Sequence, residues 1–398
     1  DVTIVVISSA IKKNNPEFIE ARRKKLPIIK RGKMLANLVS FMKNIVVVGS
    51  HGKTTTTSLV SSIFEKTKLD PTVINGGIIN SISSTAKLGK SDWSILEADE
   101  SDGSFVHISP TYSILTNIDR EHMDFYKSMK DMKKYFLKFI QKVPSFGKSF
   151  ICIDDRINNE LIKEIKNKNF YTYGVKSNAN FLIKNIYQTE RYSKFDLSLS
   201  LPNKKKLVLK NFKIPLLGIH NIRNSTAAIA VAFILGISTS NIKKGLINFK
   251  GVQRRFNKIF SYNGIDFFDD YAHHPTEIES VLEGVKAVYG KHEKVCIFQP
   301  HRISRLKDLR KEFSYSFKNA DIVILCPIYT AGEKIKLGFN YYDFAKEIVK
   351  NSKVKLFMVN NEIQLAKFIK KNIYGNKIVI GMGAGSISTW IKNLPKVM

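Results

Sequence analysis

Apolar positions along this chain follow two rhythms. Short apolar runs at 45–48, 72–74, 94–98, 113–116 and 150–153 are bounded by turn residues, and helically spaced stretches such as 129–143 lie between them. Runs of that length read as buried parallel strands, and their alternation with helices predicts a doubly wound α/β unit. Upstream, residues 1–10 read as a strand entering a polar turn, 16–25 as an amphipathic helix, 27–29 as a short strand and 34–42 as a helix. This βαβα piece reads as a truncated first domain, one without an earlier strand and its turn. The rhythm changes at 171–217, where Phe195-Asp196-Leu197-Ser198-Leu199-Ser200-Leu201 alternates with period two. That predicts a small antiparallel sheet with turns at Asn178 and Pro202-Asn203. Helices return at 224–235 and 241–248. After Gly251, strands at 264–268, 295–298, 322–326, 355–359 and 378–382 alternate with helices at 275–289, 304–318, 342–350 and 362–373. A second, mostly parallel sheet follows, with ligands expected at the C-terminal ends of its strands. The expected domains are 1–42, 43–251 and 252–398.

A length of 398 residues accommodates such domains, each with its own core. The formal charge of +30 invites a nucleic-acid reading, but the basic residues are spread along the chain and the longest runs, Arg22–Lys25 and Lys204–Lys206, are short. Solvated basic faces with some attraction for polyanionic substrates account for it better. Cys152, Cys296 and Cys326 are far apart and embedded in apolar runs, which suits buried thiols rather than disulfides or a zinc site. The longest apolar run, 227–237, is too short to span a bilayer. A cytoplasmic enzyme is the expectation, with no membrane and no nucleic-acid partner.

The chemistry centres on Gly49-Ser50-His51-Gly52-Lys53-Thr54-Thr55, which follows the apolar run at 45–48 and opens a helix. Strand, glycine turn and helix N-terminus in that order form a phosphate-binding loop: backbone N–H groups face the anion, Lys53 adds charge and Thr54 offers a hydroxyl to Mg²⁺. Val47 stands where the common P-loop has its first glycine, so the spacing is the shorter Gly-x-x-Gly-Lys-Thr. The next strand end carries Glu97, Asp99, Glu100 and Asp102, and the one after it carries Thr116-Asn117 followed by His122. Two readings stand for these: an acidic solvated turn with a structural histidine, or a shared cation site. His220, Asn221 and Asn224 open an apolar helix, where the amides suit either an adenine edge or helix capping. Later, Arg254-Arg255, Asp269-Asp270-Tyr271-Ala272-His273-His274-Pro275-Thr276-Glu277 and Gln299-Pro300-His301-Arg302-Ile303-Ser304-Arg305 crowd polar groups at strand ends. Arg302 and Arg305 lie three apart at a helix start, so they can converge on one carboxylate.

These motifs, in this order, resemble the Mur ligases, ATP-dependent amide-bond ligases of bacterial cell-wall synthesis. Glu-Ala-Asp-Glu-Ser-Asp, His-Met-Asp, Asp-Asp-Tyr-Ala-His-His-Pro-Thr-Glu and Phe-Gln-Pro-His-Arg carry the likeness. The resemblance implies a three-domain α/β architecture: a Rossmann-like N-terminal domain, a central P-loop ATPase domain and a Rossmann-like C-terminal domain. It implies ATP and Mg²⁺ as cofactors, UDP-N-acetylmuramate and L-alanine as substrates, and an acyl-phosphate intermediate. Residues 49–55 would bind the ATP phosphates, and Lys53, Glu97, His122 and Arg255 would be catalytic. Thr54, Glu97 and His122 would hold the metal. His220, Asn221 and Asn224 would meet adenine, and Asp270 the ribose. Tyr271, His273, His301, Arg302 and Arg305 would receive alanine, and Ser8 and Ser9 the UDP-sugar. Closure of the last domain would exclude water from the acyl phosphate. Two rivals stand beside this reading: a recycling ligase that joins a tripeptide to the same sugar nucleotide, and a basic, nucleic-acid-stimulated P-loop ATPase.

Overall fold

The structure, a computed structural model, describes residues 2–333 and 340–397. The chain divides into two compact units. The first comprises Asp1–Tyr187, Lys194–Pro215 and Asn221–Lys250, and the second Gln188–Ser193, Leu216–His220 and Gly251–Met398.

The first unit opens with β1 (Val5–Ile7) and β2 (Ile28–Lys30), paired in parallel around the helix Pro16–Arg23. That helix starts where the sequence directs: the Asn15 side chain accepts from the Phe18 N–H, Pro16 opens the first turn and Arg22 and Arg23 close the last. Then come β3 (Lys43–Val48), β4 (Thr72–Ile79), β5 (Ser84–Lys87), β6 (Trp93–Glu97), β7 (Tyr112–Leu115), β8 (Lys148–Cys152), β9 (Phe170–Gly174), β10 (Phe181–Gln188), β11 (Ser193–Leu199) and β12 (Leu207–Ile214). They form one ten-stranded sheet in the order β12-β11-β10-β9-β8-β7-β3-β6-β4-β5. β3 lies between β6 and β7, parallel to both, and is fully buried from Ile45 to Val48. A strand covered on both faces needs an unbroken apolar run, and this one has it.

The helix Lys53–Phe64 follows β3 directly, and its residues are buried from Thr54 onward. Opposite apolar side chains come from Met129–Ile140, which buries Met132, Phe136, Phe139 and Ile140. Ser128 caps this helix by accepting from the Asp131 N–H at 3.1 Å, and Phe136 and Phe139 pack on Phe105 with ring centroids 5.0 and 5.4 Å away. The alternating stretch at 171–217 supplies β10–β12, and it is joined to the sheet through a parallel β9–β10 pair.

The second unit holds β13 (Asn257–Tyr262), β14 (Ile265–Asp270), β15 (Glu293–Phe298), β16 (Ile322–Leu325), β17 (Lys355–Met358) and β18 (Lys377–Met382), in the order β13-β14-β18-β15-β16-β17. β13 and β14 form an antiparallel hairpin and the other pairs are parallel. Asp270 and Phe298 both register with Met382, so β14, β15 and β18 end level. The loops that follow them therefore emerge at one edge, as the ligand rule for such sheets requires. The helix expected at 304–318 is two, Ile303–Asp308 and Arg310–Tyr315, broken at Leu309.

Candidate active site

In the first unit the phosphate loop is held by the chain that leaves β7. Asn117 accepts the His51 N–H on its side chain at 2.8 Å and the Ser50 N–H on its carbonyl at 3.0 Å. Thr116 donates to the His51 carbonyl at 2.7 Å, and His51 Nε2 meets Asp119 Oδ2 at 2.9 Å. With those amides taken, the first N–H groups of the helix Lys53–Phe64, including buried Thr54 and Thr55, are the ones left to meet an anion. Gly52 caps that helix with φ +81°, and a Cβ there would lie 2.7 Å from Asn224 Oδ1. Asn224, buried on the helix Ile219–Ile234, is thus pressed against the loop, with Asn221 Oδ1 at 3.4 Å from its amide nitrogen. In the second unit, His220 packs its ring on Gly218.

Lys53 Nζ donates to the carbonyls of Gly49 and Ser50 at 2.7 and 2.9 Å and pairs with Glu100 Oε2 at 2.7 Å. Burial works against its charge, but the Glu100, Glu97 and Asp99 carboxylates outweigh burial and the ammonium is held charged. Glu100 is itself buried, which pushes its carboxyl up to about 7 against the pull of Lys53. Thr54 Oγ1 donates to Glu97 Oε1 at 3.1 Å, and the Gly76 N–H fixes Glu97 Oε2 at 2.8 Å.

His122, in the left-handed region with φ +56°, places Nε2 3.8 Å from Glu100 Oε1. One ligand atom from each of Glu100, Glu121 and His122 lies within 4.8 Å of the others. Buried carboxylates brought this close repel one another, and oxygen-rich donor sets of this kind suit a hard divalent cation such as Mg²⁺. Of the three expected ligands, Thr54 and Glu97 are in direct contact, whereas His122 is grouped with Glu100 and Glu121. Glu121 went unnoticed in the sequence because a single acid beside a histidine carries no pattern. Ser8 and Ser9 lie in the turn after β1, where Ser8 Oγ accepts from the Ala10 N–H at 3.2 Å.

In the second unit the loops after β14 and β15 carry the remaining candidates. Tyr271 lies under two guanidinium groups, with Arg254 Cζ at 4.7 Å and Arg255 Cζ at 5.3 Å from its ring centroid. Arg254 is tied down by the Gly383 and Gly385 carbonyls at 2.6 and 3.3 Å, while Arg255 is 3.7 Å from Glu277. Asp270, expected at a ribose, is buried, and its two oxygens accept the Phe256 and Ala272 N–H groups at 2.8 Å each. Burial, opposed by Arg255, pushes its carboxyl up to about 6. In this geometry Asp270 shapes the loop that presents Arg254 and Arg255.

His273 Nδ1 faces the Tyr271 carbonyl at 2.9 Å and Glu277 Oε2 at 3.2 Å. Its ring lies edge-on to His301, centroids 5.9 Å apart, and His301 stacks on Tyr329 at 5.5 Å. Arg305 Nη1 donates to His301 Nδ1 at 3.2 Å. Arg302 has φ +67° and gives its Nε–H to Glu333 Oε1 at 2.6 Å. Glu333 also accepts the Ser304 N–H and hydroxyl, at 3.0 and 2.6 Å. Tyr271, His273, His301, Arg302 and Arg305 are thereby brought to one end of one sheet. Glu333 and Tyr329 were missed because the turn that carries them lies after β16, with no motif to mark it.

A phosphate loop after a central parallel strand, with acids at the neighbouring strand end, defines a nucleotide-phosphate-binding α/β protein with a second, guanidinium-rich Rossmann-like unit. Residues 1–43 match the Mur ligase family catalytic domain, 47–232 the Mur ligase middle domain, and 254–385 the Mur ligase glutamate ligase domain. A UDP-N-acetylmuramate–L-alanine ligase of Pelagibacter ubique is 71% identical over 396 residues, spanning 100% of this chain and 85% of that protein. The enzyme of the same name from Brucella ovis is 39% identical over 398 residues, with 100% and 84% covered. Among solved structures, UDP-N-acetylmuramate-alanine ligase from Thermotoga maritima superposes with TM-score 0.81 at 26% identity, covering 99% of this chain and 84% of that one. A murein peptide ligase from Psychrobacter arcticus shares the fold at TM-score 0.71 and 20% identity, with 99% and 85% covered. The chain belongs to the Mur ligase family.

Proposed function

We propose that this chain joins L-alanine to UDP-N-acetylmuramate at the expense of ATP. The sugar carboxylate attacks the γ-phosphate to give an acyl phosphate and ADP, and the alanine amine then displaces phosphate. The observation that carries the reading is the Arg302–Arg305 pair beside two imidazoles, in a chain 71% identical to a ligase of that name. Two guanidinium groups suit one small carboxylate, and the imidazoles suit the amine attached to it.

Each residue's part follows from its surroundings. Lys53 and the first helical amides bind the β- and γ-phosphates and offset charge as the phosphoryl group moves. Thr54 and Glu97 on one side, and Glu100, Glu121 and His122 on the other, would hold Mg²⁺, which when bound neutralises phosphate oxygens. Asn221 and His220 are assigned to the adenosine end of ATP. Arg302 and Arg305 fix the alanine carboxylate, with Tyr271, His273 and His301 around its amine. Ser8 and Ser9 are assigned to the UDP-sugar. Among the described residues no helix is long and apolar enough to cross a membrane, and the substrates of this reading are small molecules of the cytoplasm.

Phosphate release, measured with each substrate omitted in turn, tests the proposal. Release that depends on both UDP-N-acetylmuramate and L-alanine supports it, and release indifferent to alanine defeats it. A tripeptide outperforming L-alanine as acceptor would favour the recycling reaction instead.

A further inference from the structure

The two imidazoles beside the arginine pair carry their protons on opposite nitrogens. An arginine only donates. The Arg305 Nη1–H at 3.2 Å therefore requires a bare lone pair on His301 Nδ1, and the proton of the neutral ring sits on Nε2. His273 is the reverse case. Its Nδ1 faces two acceptors, the Tyr271 carbonyl at 2.9 Å and Glu277 Oε2 at 3.2 Å, so Nδ1 carries the proton and the neutral ring has its lone pair on Nε2. Among the described residues none donates to that Nε2.

We propose that His273 Nε2 is the general base that takes a proton from the ammonium of the incoming amino acid, while His301 serves beside it as an N–H donor. The inference rests on the ligase reading above. A free amino acid is an ammonium at neutral pH and has no lone pair with which to attack. One proton passes to His273 Nε2, and the freed pair forms the C–N bond to the acyl carbon. The C–O bond to phosphate breaks, and phosphate takes the second nitrogen proton and leaves as hydrogen phosphate. The imidazolium then gives its proton to solvent.

The groups facing His273 suit that cycle. Glu277 stabilises the imidazolium through Nδ1, as the group that orients a base does. The Tyr271 carbonyl adds a second acceptor to the same N–H. The charged group next to Glu277 is Arg255, 3.7 Å away, and two further titratable rings lie against His273: Tyr271, with centroids 5.1 Å apart, and His301, at 5.9 Å. Burial first, then His273, Arg305 and Arg302, push the His301 imidazole down to about 4, so it stays neutral and leaves the site room for one new positive charge.

His273→Asn tests the assignment, because an asparagine amide can keep the N–H bond to the Tyr271 carbonyl while the Nε2 lone pair is gone. In the full chain the variant should turn over L-alanine about 10²-fold or more slowly, the usual share of a general base. Hydroxylamine, largely unprotonated at neutral pH, needs no base, and hydroxamate formation should stay within a few-fold of the parent. Equal loss with both acceptors, or alanine turnover within a few-fold of the parent, overturns the proposal. A parent chain that transfers to hydroxylamine but ignores alanine overturns the ligase reading, and the base with it. ADP formation with the sugar nucleotide alone reports that the variant is folded. Should that signal be absent, His273→Ala with imidazole in the buffer takes its place: restored alanine transfer supports the base, and no restoration overturns it.

Discussion

The Arg302 Nε–H donates to Glu333 Oε1 across 2.6 Å, and this bond decides which edge of the guanidinium is left for a ligand. With Nε engaged, the two Nη groups form the edge that can hold a carboxylate bidentately. Glu333 is held in turn by Ser304. Glu333→Gln keeps the volume but weakens the hold on Arg302, and should raise the L-alanine KM about 10-fold with kcat little changed, as loss of ground-state positioning does. Arg302→Ala should raise it further. Steady-state kinetics of both variants and of the double variant check the coupling. Additive effects of the two substitutions would show that Glu333 does not act through Arg302.

Lys53 and Glu100 form a buried ion pair at 2.7 Å. Removing one partner of such a pair leaves a buried charge and typically costs about 3–5 kcal/mol. Lys53→Met should therefore abolish ATP turnover and also lower the melting temperature. Adding Glu100→Gln should recover much of the stability and none of the turnover. Thermal melts and phosphate release on the three proteins separate the two roles.

Much of this arrangement was legible because it is local in sequence. The run at 45–48, the glycines at 49 and 52 and Lys53 are contiguous, and their order alone specifies strand, loop and helix. Thr54 and Glu97 come together in the sequence only through the resemblance to the Mur ligases, which implies that both hold the metal; their direct contact belongs to the fold. Glu100 sat unresolved within its acidic run, since only the backbone turn after β6 decides which acid points at Lys53. Glu121 and Glu333 were not legible at all: each gains its meaning from a partner brought near by the fold. The edge strand β13 escaped for a related reason, being partly exposed throughout, with no alternation for the core to impose. The same holds for Leu309, whose apolar side chain continues the helical rhythm although the backbone breaks there.

Asp155 and Glu333 should shift stability with pH in opposite directions. Asp155 caps the helix Arg156–Leu161 by accepting the Asn158 N–H at 2.8 Å, and burial, partly offset by backbone N–H groups, pushes its carboxyl up to about 6. A raised carboxyl stabilises the fold below its unfolded value of 3.8 and loses that contribution as pH rises through about 6. Asp155→Asn caps equally well and does not titrate. Its advantage over the parent should grow between pH 4 and 6 and level off above, at about 3 kcal/mol or less. For Glu333, the Ser304 and Arg302 contacts overcome partial burial and bring the carboxyl down to about 2. Its contribution is present above 4.5 and is lost as pH falls through about 2. Urea midpoints across pH 4–8 check the first, and acid unfolding of Glu333→Gln against the parent checks the second.

Asn224 offers the last test, because its position argues for a different role from the one its residue type suggests. An amide near a nucleotide site suits an adenine edge, yet Asn224 Oδ1 stands 2.7 Å from where a Gly52 Cβ would be, against the phosphate loop itself. A side chain in that place acts on any nucleotide through the loop's shape. Asn224→Ala should therefore weaken ATP and GTP by similar factors, whereas an adenine contact would weaken ATP alone. Gly52→Ala should be worse than either. It forces an alanine to φ +81°, at about 1–2 kcal/mol, and drives its Cβ into the Asn224 amide. Combining the two substitutions removes the collision but not the backbone strain, so the double variant should recover part of the lost ATP affinity. Equilibrium binding of ATP and GTP to the three variants reads all of this. Selective loss of ATP binding in Asn224→Ala would return that residue to the base.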